Sequence, residues 1–451
     1  MPITRLFSAR RDWVFASFIC LAFLIGGASR SDVYSLLLLR PIAAGAAVWF
    51  AFSLSREQWR RIRVPGLVLG AMALLVAIQL VPLPPTLWQA LPGRSVVAEL
   101  DRLAGFGNPW RPWSLTPAQT QNALLSLLIP ATALFGMALL NGRGVRAMVV
   151  VLLALIGVSA ALCILQLAGG AGSPLYFYKI TNRGMMVGLF ANRNHNAVVL
   201  ACALPLLAIK VREWTQRDTE RDRAKVIIGS LAGIALLPIL AVVGSRMGFA
   251  LSIIAFAASL FIVARKNSRI RLLAARYRTY LIAAGGAVLV MLLALGAQVS
   301  SAVAGATTVS SSEIRFTIWQ ASWDVLKTYF PAGAGFGSFA DVYKAGEPLA
   351  TLEPSYINHA HNDFIEIVMD GGVPALALLV AGLAIFLVRL VRVVMAYDGK
   401  DGGLALAGGV IMAVLILASA SDYPLRVPSI AAMMAIASVW LFAERQDRPI
   451  G

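Results

Sequence analysis

Apolar residues run in blocks of about 17–24 along nearly the whole chain, separated by short polar or basic connections. Each block is long enough to cross the roughly 30 Å hydrocarbon layer as a helix. The pattern predicts twelve spans, near residues 12–28, 33–54, 64–81, 120–140, 145–168, 187–209, 226–243, 247–264, 280–297, 373–393, 403–420 and 427–443. Two of the connections are too long to be turns. The first, 82–119, contains "SVVAELDRLAGFG", which reads as a short amphipathic helix ended by Gly105. Trp88, Trp110 and Trp113 around it suit the headgroup level. The second, 298–372, opens a helix at "SSSEIRFTIWQASWDVLKTYF", with Ser residues able to cap it and Glu313 in its first turn. Ile314, Ile318, Ala321 and Val325 give that helix an apolar stripe. "PAGAGFGSF" breaks it, and a further helix is expected from about Asn358 through "HNDFIEIVMD" to Gly371 and Gly372.

The expected fold is therefore an all-α polytopic membrane protein of about 12 transmembrane helices, with a large helical periplasmic loop between spans 9 and 10. Spans one to nine occupy 1–297, the loop 298–372, and the last three spans with a cytoplasmic tail 373–451. Composition agrees: a mean hydropathy of +0.76, with 59% hydrophobic and 14% charged residues, excludes an ordinary soluble domain. The formal charge of +17 first suggests nucleic acid. With the N-terminus in the cytoplasm, however, about two thirds of the 39 Lys and Arg residues fall on inner connections. That asymmetry is the positive-inside rule, and both termini are expected on the cytoplasmic side of the membrane. The first span, following Arg5, Arg10 and Arg11, imitates a signal peptide but is expected to remain as an anchor. Cys20, Cys163 and Cys202 all fall within spans, so no outer disulfide framework is expected. Arg40 interrupts the second span and calls for a partner or a function.

The chain has three histidines, and all sit in two short polar stretches. His195 is in "GLFANRNHNA"; His359 and His361 are in "SYINHAHNDFIEIVMDGG". Under the twelve-span topology these stretches share one membrane face with Arg246 of "GSRMG" and Arg315 of "SEIRF". Separate crossings deliver them there, which points to a site. Singly, each has a plainer reading. Arg246 suits a snorkelling anchor. Asn192, Asn194, His195 and Asn196 suit a broken first turn that needs polar partners. Arg315 suits a pair with Glu313 or a lipid phosphate, and a lone His suits a cap. Together, two guanidinium groups match an anionic, lipid-attached phosphate ligand. A neutral imidazole beside them is a natural general base for a sugar hydroxyl attacking an anomeric carbon. The outer acids Asp341, Glu347, Glu353, Asp363 and Glu366 are scattered along the sequence, and "HAH" lacks a third ligand, so neither a metal nor a cofactor is expected.

"GLFANRNHNA", "GSRMGFAL", "SSEIRFTIWQASW…FPAGAGFGSF" and "HAHNDFIEIVMDGGVPAL" together resemble the bacterial O-antigen ligase and polymerase superfamily. The likeness covers roughly 185–395. It implies metal-independent, inverting transfer of a glycan from undecaprenyl diphosphate to a glycan or lipid A-core acceptor at the periplasmic face. By position, His361 matches the base and Arg246 and Arg315 the arginines linked with the diphosphate. Asn192 and Asn194 match a site-lining "F-x-N-x-N" motif, and Glu366 matches the acid of the "HN…E…G" stretch. His359 is an additional histidine, Asn362 follows the candidate base, His195 is left unassigned, and Arg40 has no counterpart. Ligase, polymerase and protein-glycan transferase are not separated by these features. A lipid-linked oligosaccharide flippase is the alternative, but it should carry more polar residues deep within its spans. Shape and division peptidoglycan polymerases rest instead on an acidic residue in an outer loop.

Overall fold

The computed structural model describes residues 9–217, 219–265, 311–347, 357–398 and 402–443. The expected ninth span at 280–297, and residues 298–310 and 348–356 of the large loop, lie outside these. The helices are α1 (Arg10–Ile25), α2 (Ser35–Ser53), α3 (Arg56–Arg61), α4 (Arg63–Ile78), α5 (Pro85–Trp88), α6 (Ser95–Leu103), α7 (Pro117–Ser126), α8 (Leu128–Leu139) and α9 (Gly142–Gly169). They continue with α10 (Arg193–Thr215), α11 (Glu220–Val242), α12 (Arg246–Ala264), α13 (Ser311–Tyr329), α14 (Phe339–Gly346), α15 (Asp363–Ala396), α16 (Gly403–Ala418) and α17 (Pro428–Phe442). Two-residue strands β1 (Pro82–Leu83) and β2 (Arg111–Pro112) pair antiparallel within the first long connection.

Among the described residues, six helical stretches are long and apolar enough to cross a membrane: α2, Pro117–Leu139, α9, α11, α12 and α15. The shorter apolar helices α4, α16 and α17 accompany them. α10 forms the axis of the bundle, packed against α9, α11, α12 and α16. It buries 17 of its 23 residues, polar ends included. α17 packs against α16 and α8, closing the other side of the main core.

Three boundaries differ from the sequence expectation, each for a local reason. The sixth span was expected from residue 187, but the helix begins at Arg193. The Gln166 side chain accepts the Val187 and Gly188 amides at 3.1 and 2.8 Å, holding this segment out of the helix, and Asn192 then caps α10. The fourth span is broken between α7 and α8, where Pro130 cannot donate to the Ser126 carbonyl. The helix expected from Asn358 starts at Asp363 instead. His361 adopts a left-handed φ of 49°, and Asn362 accepts the Phe364 and Ile365 amides at 3.0 and 3.2 Å. α15 then runs into the expected tenth span, with a sharp change of direction at Gly372, whose φ is 60°. A Cβ there would lie 2.0 Å from the Pro331 carbonyl oxygen, so only glycine fits.

The two long connections pack on one another and fix the start of α15. The Arg94 guanidinium, almost fully buried, donates to the carbonyls of Pro92, Trp113 and Gly333 at 2.8, 2.7 and 2.9 Å. Burial lowers its pKa to about 10. Gln79 bridges the Asp370 carbonyl (3.2 Å) and the Phe336 amide (2.8 Å). Asp370 accepts the Gly337 amide at 3.0 Å and the Ser338 hydroxyl at 3.2 Å. The glycine-rich "PAGAGFGS" segment is thereby strapped to the backbone of α15. Arg40 also finds its partner: its guanidinium donates to Asn122 on α7 at 2.6 Å.

Candidate functional site

The tips of four segments meet at one end of the bundle. The N-terminus of α10 brings Asn194 and His195; α13 brings Arg315; residues 357–362 bring His359 and His361. The fourth is "SDYPLR", between α16 and α17, and it supplies Asp422, Tyr423 and Arg426.

Asp422 is the point of convergence. The Asn194 amide donates to its Oδ2 at 2.8 Å. His361 Nδ1 lies 3.5 Å and His195 Nε2 3.7 Å from Oδ1, and Arg315 reaches Oδ2 at 3.9 Å. These last three contacts are electrostatic rather than full hydrogen bonds. The buried nitrogens of His195 and Nδ1 of His361 have no hydrogen-bond partner among the described residues. Burial opposes ionisation of Asp422, but the two imidazoles outweigh it and hold its carboxyl well below the usual carboxylate range.

Tyr423 gathers all three imidazoles around one ring, with centroid distances of 4.3 Å to His359, 5.0 Å to His361 and 5.2 Å to His195. The side chains of Asn358 and Asn192 hydrogen-bond its hydroxyl, while burial and the Asp422 carboxylate push the phenol's pKa upward. His359 is held apart from its neighbour: its Nδ1 is 2.9 Å from Glu366 Oε1, whose Oε2 accepts the Ala360 amide at 3.0 Å. Burial lowers the His359 pKa, and the attraction of Glu366 only partly offsets this. The Ala360 carbonyl in turn accepts the indole N–H of Trp319 on α13 at 3.0 Å.

Beneath this layer, Arg426 ties the carboxylates together, meeting Asp363 at 3.0 Å and Glu366 at 3.1 Å. Burial opposes its charge, but Glu366, Asp363 and Asp370 together raise its pKa. The expectation of scattered outer acids is thus corrected: Asp363, Glu366 and Asp370 share one α15 segment and one arginine. Among the described residues, no group of three or more His, Cys, Asp or Glu side chains is arranged to hold a metal ion. Arg246, at the first position of α12, is exposed. It and Arg315 both act electrostatically on Arg193, giving the mouth of the site a positive field.

Residues 231–380 match the family model for O-antigen ligase. That match, over about a third of the chain, supports membership of the O-antigen ligase and polymerase superfamily. The family is one of membrane glycan transfer. No curated protein matches the chain. The family stretch carries Arg246, Arg315, His359, His361, Asn362 and Glu366, while Asn192, Asn194 and His195 precede it and Asp422, Tyr423 and Arg426 follow it. The site is therefore completed by helices on both sides of the matched segment.

Of the residues singled out in the sequence, Asn194, Arg315 and His361 meet through Asp422. His359 and Glu366 form a pair of their own, and Asn362 is a cap. Asn192 both caps α10 and binds Tyr423. His195, left without a role, lies 1% exposed against Asp422. Sequence reasoning missed Asp422, Tyr423 and Arg426. A signal was present: "SDYPLR" is a polar connection between two apolar runs, on the face to which the topology assigns the other patches.

Proposed function

We propose that this protein is a glycosyltransferase of the O-antigen ligase or surface-polysaccharide polymerase type. It moves a glycan from undecaprenyl diphosphate to an acceptor hydroxyl at the periplasmic face of the bacterial inner membrane. The observation that carries this reading is the cluster of three histidines around Tyr423 and Asp422, with Arg315 in contact and Arg193 and Arg246 at its rim.

His361 takes the proton from the acceptor O–H as its oxygen attacks the anomeric carbon. The carbon–oxygen bond to the diphosphate breaks on the opposite face, so configuration inverts, and the lipid diphosphate departs with the bonding electrons. Arg315 and Arg246 stabilise the charge growing on that leaving group. Asp422 stabilises the positive charge that His361 acquires, and Asn194 holds Asp422 in place. His359, tied to Glu366, sets the backbone of the turn that presents His361.

The test is deletion in the native host followed by mass analysis of the carrier-linked glycans, with rescue by wild type and by His361→Ala. Long polymer on the carrier identifies a ligase, and single repeat units a polymerase. Absence of both, or full rescue by His361→Ala, overturns the transferase reading and favours transport of the lipid-linked glycan.

A further inference from the structure

A cavity lies at the end of the bundle away from the histidines. It encloses about 1000 Å³ and is bordered by Arg61, Arg143, Arg146 and Arg212. His195 and Arg212 both lie on α10, seventeen positions apart, which at the helical rise separates the cavity from the site by roughly 25 Å.

Arg212 is 8% exposed, yet no carboxylate lies within ion-pair distance of it among the described residues. Its Nη1 donates to the carbonyls of Ile262, Val263 and Arg265 at 2.7–3.1 Å, at the C-terminal end of α12, and its guanidinium faces the Tyr397 ring at 5.6 Å, so dipoles and a ring meet its charge but no anion does. Such dipoles offset only part of the cost of burying a cation, so an anion entering the cavity would be stabilised beside it. The one acid on the cavity wall, Glu213, is taken by Lys210 at 2.9 Å. Trp440 also lines the cavity, 2% exposed, and its buried indole N–H has no acceptor among the described residues. The N-terminus of α16 opens on the same space at Gly403 without a side-chain cap. Cations, an orphan N–H and a helix N-terminus all ask for an acceptor, while Val149, Ile209 and Val439 supply apolar walls.

We infer that this cavity binds an anionic membrane phospholipid, its phosphate among the arginines and its acyl chain along the apolar wall. The occupant would be a glycerophospholipid of the phosphatidylglycerol kind, and the site stands independently of the transfer chemistry at the other end.

Full-length protein in a neutral detergent, titrated with lipids and read by native mass spectrometry, tests this. Phosphatidylglycerol should bind in preference to phosphatidylcholine. Arg143→Gln with Arg146→Gln, both at exposed positions, should weaken it roughly thirtyfold. Trp440→Phe, which keeps an aromatic ring but removes the indole N–H, should weaken it less. Equal binding of the two lipids, or an arginine double variant that binds as wild type does, overturns the site. Selective binding of a polyprenyl phosphate, or equal competition by inorganic phosphate alone, overturns the assigned occupant.

Discussion

Replacing Asp422 by Asn removes one charge and almost no volume, and so isolates what that charge does. The carboxylate lies 3.5 Å from His361 Nδ1 and is 5% exposed. At an effective dielectric of about 20, a unit charge at that distance stabilises an imidazolium by about 4–5 kcal/mol before other groups respond. Arg315, 3.9 Å away, and the amide that replaces the carboxylate both reduce the net effect. Roughly half of it reaching the transition state corresponds to a loss of about 10²-fold in rate. The assay is glycan transfer by washed membranes from carrier-linked donor to acceptor, at matched amounts of inserted protein. In the proposed mechanism the donor's phosphates meet the arginines and Asp422 meets the base, so the loss should fall on kcat. Activity within threefold of wild type would refute the role of Asp422, and an effect confined to KM would move it from the chemistry to donor binding.

Other outcomes follow from the same geometry. His361→Ala should abolish transfer without reducing insertion, whereas His359→Ala should leave partial activity, as read in the same membranes. Arg426→Met strands Asp363 and Glu366 as buried charges and should cost about 3–5 kcal/mol of stability, visible as a lowered Tm in detergent. Gly372→Ala should reduce the yield of folded protein, as judged by size-exclusion profile, because its Cβ meets the Pro331 carbonyl. The His359 contribution to the pH dependence has a definite sign. His359 has a folded pKa below its ordinary 6.5, so the unfolded chain takes up the proton first and stability should fall as pH drops through 6.5. Asp422, depressed well below 3.8, contributes stability above that value and loses it only in stronger acid. The same pH dependence of Tm in wild type and His359→Gln between pH 7 and 5.5 would contradict the His359 assignment.

The helical architecture was legible because long apolar runs have few fates other than burial in a bilayer. The ends of those runs were less so. Whether residues 187–192 join α10 depends on Gln166, a residue about twenty positions upstream that captures two amides, and no periodicity records that. His361 looked helical by sequence, but its left-handed backbone puts it in a turn before the cap. The histidines and Arg315 were found because rare residue types concentrated in polar patches stand out against an apolar chain. Asp422 escaped because a lone acid in a short connection does not. Its importance arises only when α16 and α17 bring that connection against α10. Arg40 was conspicuous in sequence, and its answer was modest: a neutral Asn on a neighbouring helix.

The central position of α10 has a consequence for how the protein is made. Its ends carry Arg193, Asn194, His195, Lys210 and Arg212, and few of its side chains touch lipid in the finished bundle. Such a segment is a poor lone entrant into a bilayer, because its polar termini find partners only on neighbouring helices. Its cover, α11 and α12, is synthesised only after it. The histidine cluster waits longer still, since Asp422 is translated more than two hundred residues after His195. The nascent chain therefore cannot acquire this constellation of side chains until nearly all of it has left the ribosome.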